Sequence, residues 1–524
     1  GELYLELHRG TLTNQHMIKY NNRKAEIALH NAELLTVAEA VKKGIPASDE
    51  AIRPLLETLL VNQFHDILPG TCIQSAHEVS VRETTEIIEK AREIAASLTA
   101  EGDCSKETVI NLLPFDICDV LYLDGEKGCI AADNAVCQQF IRNLDGQNKL
   151  AVTGLKLPAQ SSLTLEHDGR PACGNTNFTL EGRRVITPYA EIEFDKKGYI
   201  SSYIDKANGR QLVGGLPFNT FLMAEDVPSA WDNWDIDNDL EMKFQDTAEL
   251  LSEELISNGA AQLRIRRCYK LSDKSTLRQD MVFHVHTPRI DFETEIDWQD
   301  KRRFLKTAFD TTILTRQAKH EIQFGYACKP TTRNNTIEQA MFEVVNHKYT
   351  DISEPRYGCA ILNDCKYGIS VEGGNMRLSL HKGGIRPDTR GDAGKHRMTY
   401  SFLPHAEGFS AESVIKPAYI LNYPPLVSAG EYRMPQLLTA DAPNIILETV
   451  KPCEDSQNAF IARLYEAEGT YTATSIRLGC QAAKVELTNM LEEVQSELPN
   501  ETSIPLTFRP FEIKTVKISY SQRA

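Results

Sequence analysis

The chain has 524 residues, a formal net charge of −16, 41% hydrophobic and 25% charged residues. That is the composition of an ordinary soluble globular protein too long for one core, with about three or four structural units expected. The acidic excess is not offset by any long Lys/Arg run, which argues against nucleic acid as a partner. No apolar stretch approaches the ~20 residues that cross a bilayer, so no membrane partner is expected.

The chain opens Gly1-Glu2-Leu3-Tyr4, without the basic and apolar regions of a signal peptide. It lacks an initiator Met inside what reads as an ordered segment, so a fragment or a processed product is expected. Tyr4-Leu5-Glu6-Leu7-His8-Arg9-Gly10-Thr11 crowds a carboxylate, an imidazole and a guanidinium ahead of the first helical pattern. It reads either as the wall of a polar pocket, with His8 or Arg9 meeting sugar hydroxyls, or as a strand-to-helix turn capped by Thr11 or Asn14.

Residues 13–44 carry Met17, Ala25, Ile27, Ala28, Leu34, Leu35, Val37, Ala38 and Val41 near helical spacing, closed by Lys42-Lys43-Gly44. This predicts a long amphipathic helix. Pro46 to Phe64 reads as a second helix and Thr71 to about Ala100 as a third. Three helices on short turns suggest a small bundle. Between the second and third lies Asn62-Gln63-Phe64-His65-Asp66-Ile67-Leu68-Pro69-Gly70-Thr71. It sets an imidazole beside a carboxylate at a helix end, with Thr71 placed to cap the next helix. Such a His can ligate a metal while the acid holds a substrate hydroxyl. A lone His at a helix end is also commonly structural. A catalytic zinc needs about three protein ligands, so His65 would require partners from elsewhere.

After Ala100 short β-rich runs separated by turns take over: Thr108–Ile110, Val120–Leu123, Ser162–Leu165, Ala190–Phe194, Leu263–Tyr269, Asp280–His286, Arg289–Asp297, Lys306–Leu314 and Lys514–Tyr520. The predicted class is α+β multidomain: an N-terminal three-helix bundle followed by mostly antiparallel β-sandwich domains. The expected limits are 1–100 for the bundle, 101–170 for a small β domain, 171–425 for a large β-sandwich domain and 426–524 for a C-terminal β domain. The twelve Cys form no CxxC pair. They read as reduced thiols in a cytoplasmic protein rather than a disulfide frame or a zinc knuckle.

Two later segments carry chemistry. Trp231-Asp232-Asn233-Trp234-Asp235-Ile236-Asp237 interleaves two of the three Trp with three Asp. Aromatic faces beside carboxylates suit a sugar, though Asx-turns in an exposed loop would also place the acids. Arg386-Pro387-Asp388-Thr389-Arg390-Gly391-Asp392-Ala393-Gly394-Lys395-His396 is a polar loop that either reaches over a neighbouring site or is a solvated connection.

Taken in order, these motifs resemble family 38 glycoside hydrolases, the retaining α-mannosidases, with the nearest likeness to the cytosolic and bacterial branch. Gly1–Thr11 looks like the start of that family's middle helical domain, Asn62–Thr71 like its His-Asp signature and Trp231–Asp237 like its WDxWDID motif. Pro288–Phe292, Phe324-Gly325, Leu362–Gly368, Arg386–His396 with Thr399-Tyr400, and Pro510–Lys514 look like its C-terminal β region. The resemblance implies a metal-dependent, usually zinc-dependent, release of terminal α-linked mannose from oligosaccharides. His65 matches the family's last metal ligand and Asp66 the acid that binds mannose hydroxyls. His8 and Arg9 fall where the family lines its substrate pocket, and Trp231, Asp235, Arg390 and Asp392 are further substrate-binding candidates. The family's first His-x-Asp metal pair, nucleophile and acid/base are expected upstream of Gly1. The zinc site is therefore expected to be incomplete here and the chain inactive alone. The rival from another class is a non-catalytic carbohydrate-binding or assembly protein on the same fold. A third alternative is a different β-sandwich glycosidase that needs no metal. Self-association stays open.

Overall fold

The computed structural model describes residues 4, 6–103, 105–133, 136–168 and 174–521. The expected opening residues Gly1–Leu3 and Leu5, and most of the predicted boundary near 170, lie outside the described residues. Helices α1 (His16–Lys43), α2 (Arg53–Asn62) and α3 (Gln74–Thr99) come first, and antiparallel sheets follow. This is the predicted class.

Two helix starts differ from expectation. α2 begins at Arg53 rather than Pro46. Gly44 turns the chain into the left-handed region, and Ala47 N–H then bonds Gln457 O (2.8 Å), which holds the intervening segment against the C-terminal strands. α3 begins at Gln74, and Thr71 does not cap it: its hydroxyl donates instead to Asp66. Nor is α1 amphipathic. It buries Asn21, Asn22, Arg23 and Glu39 as well as Ala25, Leu29, Leu35 and Ala38, because α2, α3 and the β region surround most of it.

The main sandwich pairs a nine-stranded sheet with a five-stranded one. Strands Thr276–His284, Ile290–Trp298, Gly394–Ala406 and Tyr357–Asn363 lie side by side in the larger sheet, all antiparallel. Phe292, Phe309, Tyr400 and Phe402 interlock between the sheets, with Phe309 stacked on Phe402 at 5.6 Å. A second core joins Leu34, Leu35 and Val37 of α1 to Phe460, Leu464, Val516 and Ile518 of the C-terminal strands. The helices are thus packed on the β region rather than free of it. Among the described residues no two cysteines form a disulfide, and no helix is long and apolar enough to cross a membrane.

The Pro288–Phe292 motif is an ion network. Arg289 donates from Nε and Nη2 to the two Asp291 oxygens (2.8 and 3.1 Å) and from Nη1 and Nη2 to Asp119 (2.6 and 3.2 Å). His284 Nε2 and Ser401 Oγ complete the Asp291 shell at 2.8 and 2.6 Å.

Candidate functional site

α2 ends where Gln63 N–H folds back on Leu59 O and Leu60 O. Backbone bonds Ile67 N–H to Phe64 O (2.9 Å) and Gly70 N–H to Ile67 O (2.8 Å) then coil the chain into a tight loop. His65 projects from it with 76% of its side chain exposed, and Asp66 with 46%. Their Nε2 and Oδ2 lie 3.5 Å apart, longer than an ordinary hydrogen bond, so neither group occupies the other. Thr71 Oγ1 donates to Asp66 Oδ1 at 2.9 Å and fixes that carboxylate.

The loop is held from beneath. Lys19, buried on α1, donates to Leu68 O and Pro69 O (3.2 Å each), to Asn14 O (2.7 Å) and to Asn14 Oδ1 (3.0 Å). Burial pushes its ammonium down to about 7; the four acceptors oppose that loss of charge. Gly70 has φ +78°, and a Cβ there would overlap Asn14 Oδ1, so both conformation and space call for glycine. Replacing Lys19 with Met is expected to leave the buried acceptors unpaired at a cost of about 1–3 kcal/mol. Hydrogen exchange should then speed up at the Gly70 and Thr71 amides, and unchanged protection there would refute the pinning role.

The Trp231–Asp237 segment joins the same loop. Asn233 Nδ2 donates to Gly70 O at 3.0 Å, and Asn14 Nδ2 donates to Asn233 O at 2.5 Å. Trp231 has φ +59° and is 64% exposed. A bulky residue in the left-handed region is strained, and such strain clusters at functional sites. Its ring meets Trp234 edge-on at 6.0 Å. Asp235 is mostly buried, pairs with Arg9 Nη1 at 3.6 Å, and burial raises its carboxyl. Arg9 is otherwise tied inward, to Ala340 O from Nε and Nη2 (3.2 and 3.1 Å) and over the Phe342 ring at 4.5 Å. An open hollow of about 410 Å³ lies on the outer side of this pair, lined by Glu6, Arg9, Ser229, Asp235 and Asp237. His8 is exposed nearby.

The polar loop 386–396 meets the site from the other flank. Ile385 N–H bonds Asp232 Oδ2 at 2.8 Å. Arg390, 34% exposed, is tied to its neighbours: it donates to His77 Nδ1 (2.5 Å), Glu78 (3.2 Å) and Asp388 (2.6 Å), which locks the loop to the start of α3. Asp392 is 6% exposed and lies beneath the surface. It accepts from His16 N–H at 3.0 Å and sits 3.3 Å from His381 Nδ1 and 3.8 Å from His396 Nε2. The structure thus brings the His65-Asp66 loop, the Trp231–Asp235 segment and Arg390 into one neighbourhood. It leaves Asp392 as an interior anchor. Sequence reasoning passed over Lys19, took Asn14 and Thr71 only as helix caps, and gave Asn233 no role of its own. Asn233 sits inside a motif already singled out, so its burial was the missing signal.

A metal was tested against two groups of donors. His65 presents an open imidazole, with the Phe64 ring at 4.1 Å and, among the described residues, Asp66 as the one ionisable group beside it, which is one corner of a zinc sphere and not a sphere. Among the described residues the one trio of suitable donors is His381, Asp392 and His396, all buried. Lys366 stands at its edge, 2.6 Å from His16 Nδ1, and His16 packs 5.4 Å from His381 and 4.9 Å from His396. A divalent ion there would face that ammonium in a medium that screens poorly. The trio fits a buried proton-sharing network better than a zinc centre.

Residues 6–101 match the alpha mannosidase middle domain, residues 185–390 the glycosyl hydrolases family 38 C-terminal domain, and residues 444–516 the family 38 C-terminal beta sandwich domain. The chain is 31% identical over 535 residues to alpha-mannosidase 2C1 of Homo sapiens, covering 98% of this chain and 50% of that protein. It is 29% identical over 580 residues to alpha-mannosidase G of Dictyostelium discoideum, covering 99% and 52%. An alpha-mannosidase from Enterococcus faecalis superposes with a TM-score of 0.76 at 15% identity, over 98% of this chain and 68% of that one, a likeness of fold. The chain spans about half the length of these curated relatives. With its helical bundle, its sandwich and its C-terminal strands each matching a domain of that family, the chain belongs to glycosyl hydrolase family 38.

Proposed function

We propose that this chain forms the middle and C-terminal part of a retaining, zinc-dependent α-mannosidase that removes terminal α-linked mannose from oligosaccharides. The observation that carries the reading is the His65-Asp66 pair. Both side chains are open to solvent, and the loop beneath them is braced by Lys19, Asn14, Asn233 and Thr71. The metal, when bound, neutralises charge and orients sugar hydroxyls. This chain offers His65 toward it, with the remaining ligands, the nucleophile and the acid/base supplied by the part of the protein that the other half of the relatives represents. Asp66 Oδ1 is held by Thr71, so Oδ2 accepts a sugar hydroxyl in a fixed direction. Trp231 offers an exposed ring to the apolar face of the sugar. Arg9 and Arg390 act through their partners, Arg9 by holding Asp235 and Arg390 by fixing the loop that carries Ile385 against Asp232. His8 lies at the rim. The free cysteines support a reducing, cytoplasmic setting.

The 524-residue chain alone is expected neither to retain zinc tightly nor to turn over an aryl α-mannoside. In the complete polypeptide, His65→Ala should lower both bound metal and turnover, by at least about 10-fold. Wild-type metal content and turnover in that variant would overturn the assignment, as would clear turnover by this chain alone.

A further inference from the structure

A cavity of about 650 Å³ opens between α1, α2, the turn Glu321–Phe324 and the short helix Lys416–Asn422. Its volume is in the range of small-molecule sites. Gln63, Leu68 and Pro69 stand on its wall, so it adjoins both ends of the His65 loop. None of the site residues discussed above except Lys19 lines it.

The charges in the cavity are arranged unevenly. Its cations are largely engaged, with Arg23 Nη2 left without a hydrogen-bond partner among the described residues. Lys348 pairs with Glu321 at 2.6 Å, Arg23 donates to Tyr367 Oη and Asn422 Oδ1 at 3.0 Å each, and Lys19 holds the loop. Three of its carboxylates, Glu26, Glu33 and Glu448, have no ion-pair partner among the described residues. Glu26 accepts only from the neutral amides of Asn22 (3.1 Å) and Gln63 (2.9 Å), and Glu448 from the Tyr419 hydroxyl. Glu33 makes no side-chain hydrogen bond, and burial pushes its carboxyl up to about 7. Tyr423 stacks on Tyr419 at 5.7 Å and lines the same space. The cavity therefore offers acceptors and aromatic carbon but few free donors. A ligand that fits brings its own donors and an apolar face. Lys19, Arg23 and Lys348 offset three of the four carboxylates on the walls, which leaves little net charge to draw a cation.

We propose that this cavity is a second saccharide site, in which hydroxyls of a neutral oligosaccharide donate to Glu26, Glu33 and Glu448 while a ring packs on Tyr423. That the polyol is a mannoside rests on the proposed mannosidase reading; that the cavity takes a neutral polyol does not. Sharing its rim with the His65 loop, the site would hold sugar units of the chain whose terminal mannose is at Asp66.

The test is titration of this 524-residue chain with α-linked mannotriose, followed by saturation-transfer NMR, with Glu33→Gln, Tyr423→Ala and Asp66→Ala variants and spermidine as a cationic probe. Glu33→Gln is near-isosteric and guards against misfolding of the tyrosine variant. The expected result is mannotriose binding weakened about 5–10-fold by Glu33→Gln and by Tyr423→Ala, with the Glu33→Gln loss persisting in an Asp66→Ala background, and no spermidine binding. Binding lost only in Asp66→Ala would leave the mannosidase reading standing and overturn the cavity site. Absence of mannotriose binding would also overturn it, and so would spermidine binding that Glu33→Gln abolishes. Binding of maltotriose equal to that of mannotriose would support the polyol site while removing its link to mannosides.

Discussion

Asp291→Ala is expected to cost about 3–5 kcal/mol of stability, the loss typical of an orphaned buried charge. Burial by itself would raise the Asp291 carboxyl, but Arg289 and His284 outweigh it and hold the group far below the usual carboxylate range. The guanidinium grips both Asp291 oxygens and also reaches Asp119 in the small β region. Removing the carboxylate therefore strands a buried arginine with one partner in place of two, and loosens the tie between that region and the main sandwich. Removing all three charges together, Asp119→Asn with Arg289→Met and Asp291→Leu, should lose less than Asp291→Ala alone, because no member of the Asp119–Arg289–Asp291 network is then left charged without a partner. Denaturant unfolding of the three proteins checks this. A loss below about 1 kcal/mol for the single variant, within the usual range for surface substitutions and small defects, would refute the network's weight.

What the sequence disclosed follows from how local each signal is. α1 and α3 were legible because their spacing is a property of the segment itself. The strand Ile290–Trp298 was legible because its alternation matches its pleat: Ile290, Phe292 and Ile296 point into the sandwich. The start of α2 was not legible, since the extended stretch before it is stabilised by Gln457 and by Tyr520, whose hydroxyl donates to Ile45 O at 2.9 Å. Thr71 has the chemistry of an N-cap, but α3 starts three residues later with Ile73 in the cap position, and the Thr71 hydroxyl donates to Asp66. The same limit applies to the site. His65 and Asp66 are adjacent and could be picked out together, whereas Asn14 and Asn233 meet across 219 positions. The loop 386–396 misled by its polarity. A run of charges looks the same whether it faces water or, as with Asp388 and Asp392, closes an interior network.

A steep loss of stability on mild acidification is the other large effect expected. His320 and His381 are almost wholly buried, His347 is largely so, and burial pushes each of the three down to about 3. An unfolded histidine titrates near 6.5. Between about pH 6.5 and 3 the unfolded chain therefore binds protons that the folded chain refuses. Stability from these groups is fully present above pH 6.5 and falls as pH drops, by up to about 1.4 kcal/mol per pH unit for each histidine. Below about pH 4 the depressed carboxyls of Asp291, Asp364 and Asp392 add a second loss of the same sign, since the unfolded forms take protons first. His320 is the cleanest handle. It lies in the main sheet, with Nδ1 2.9 Å from Thr350 Oγ1 and Nε2 without a partner. His320→Gln can keep the Thr350 bond and cannot titrate. It should leave the melting temperature near neutrality little changed while flattening its fall between pH 6.5 and 4.5. Parallel melting profiles for wild type and variant across that interval would mean that His320 is protonated as readily inside the fold as outside it, and that acid sensitivity arises elsewhere.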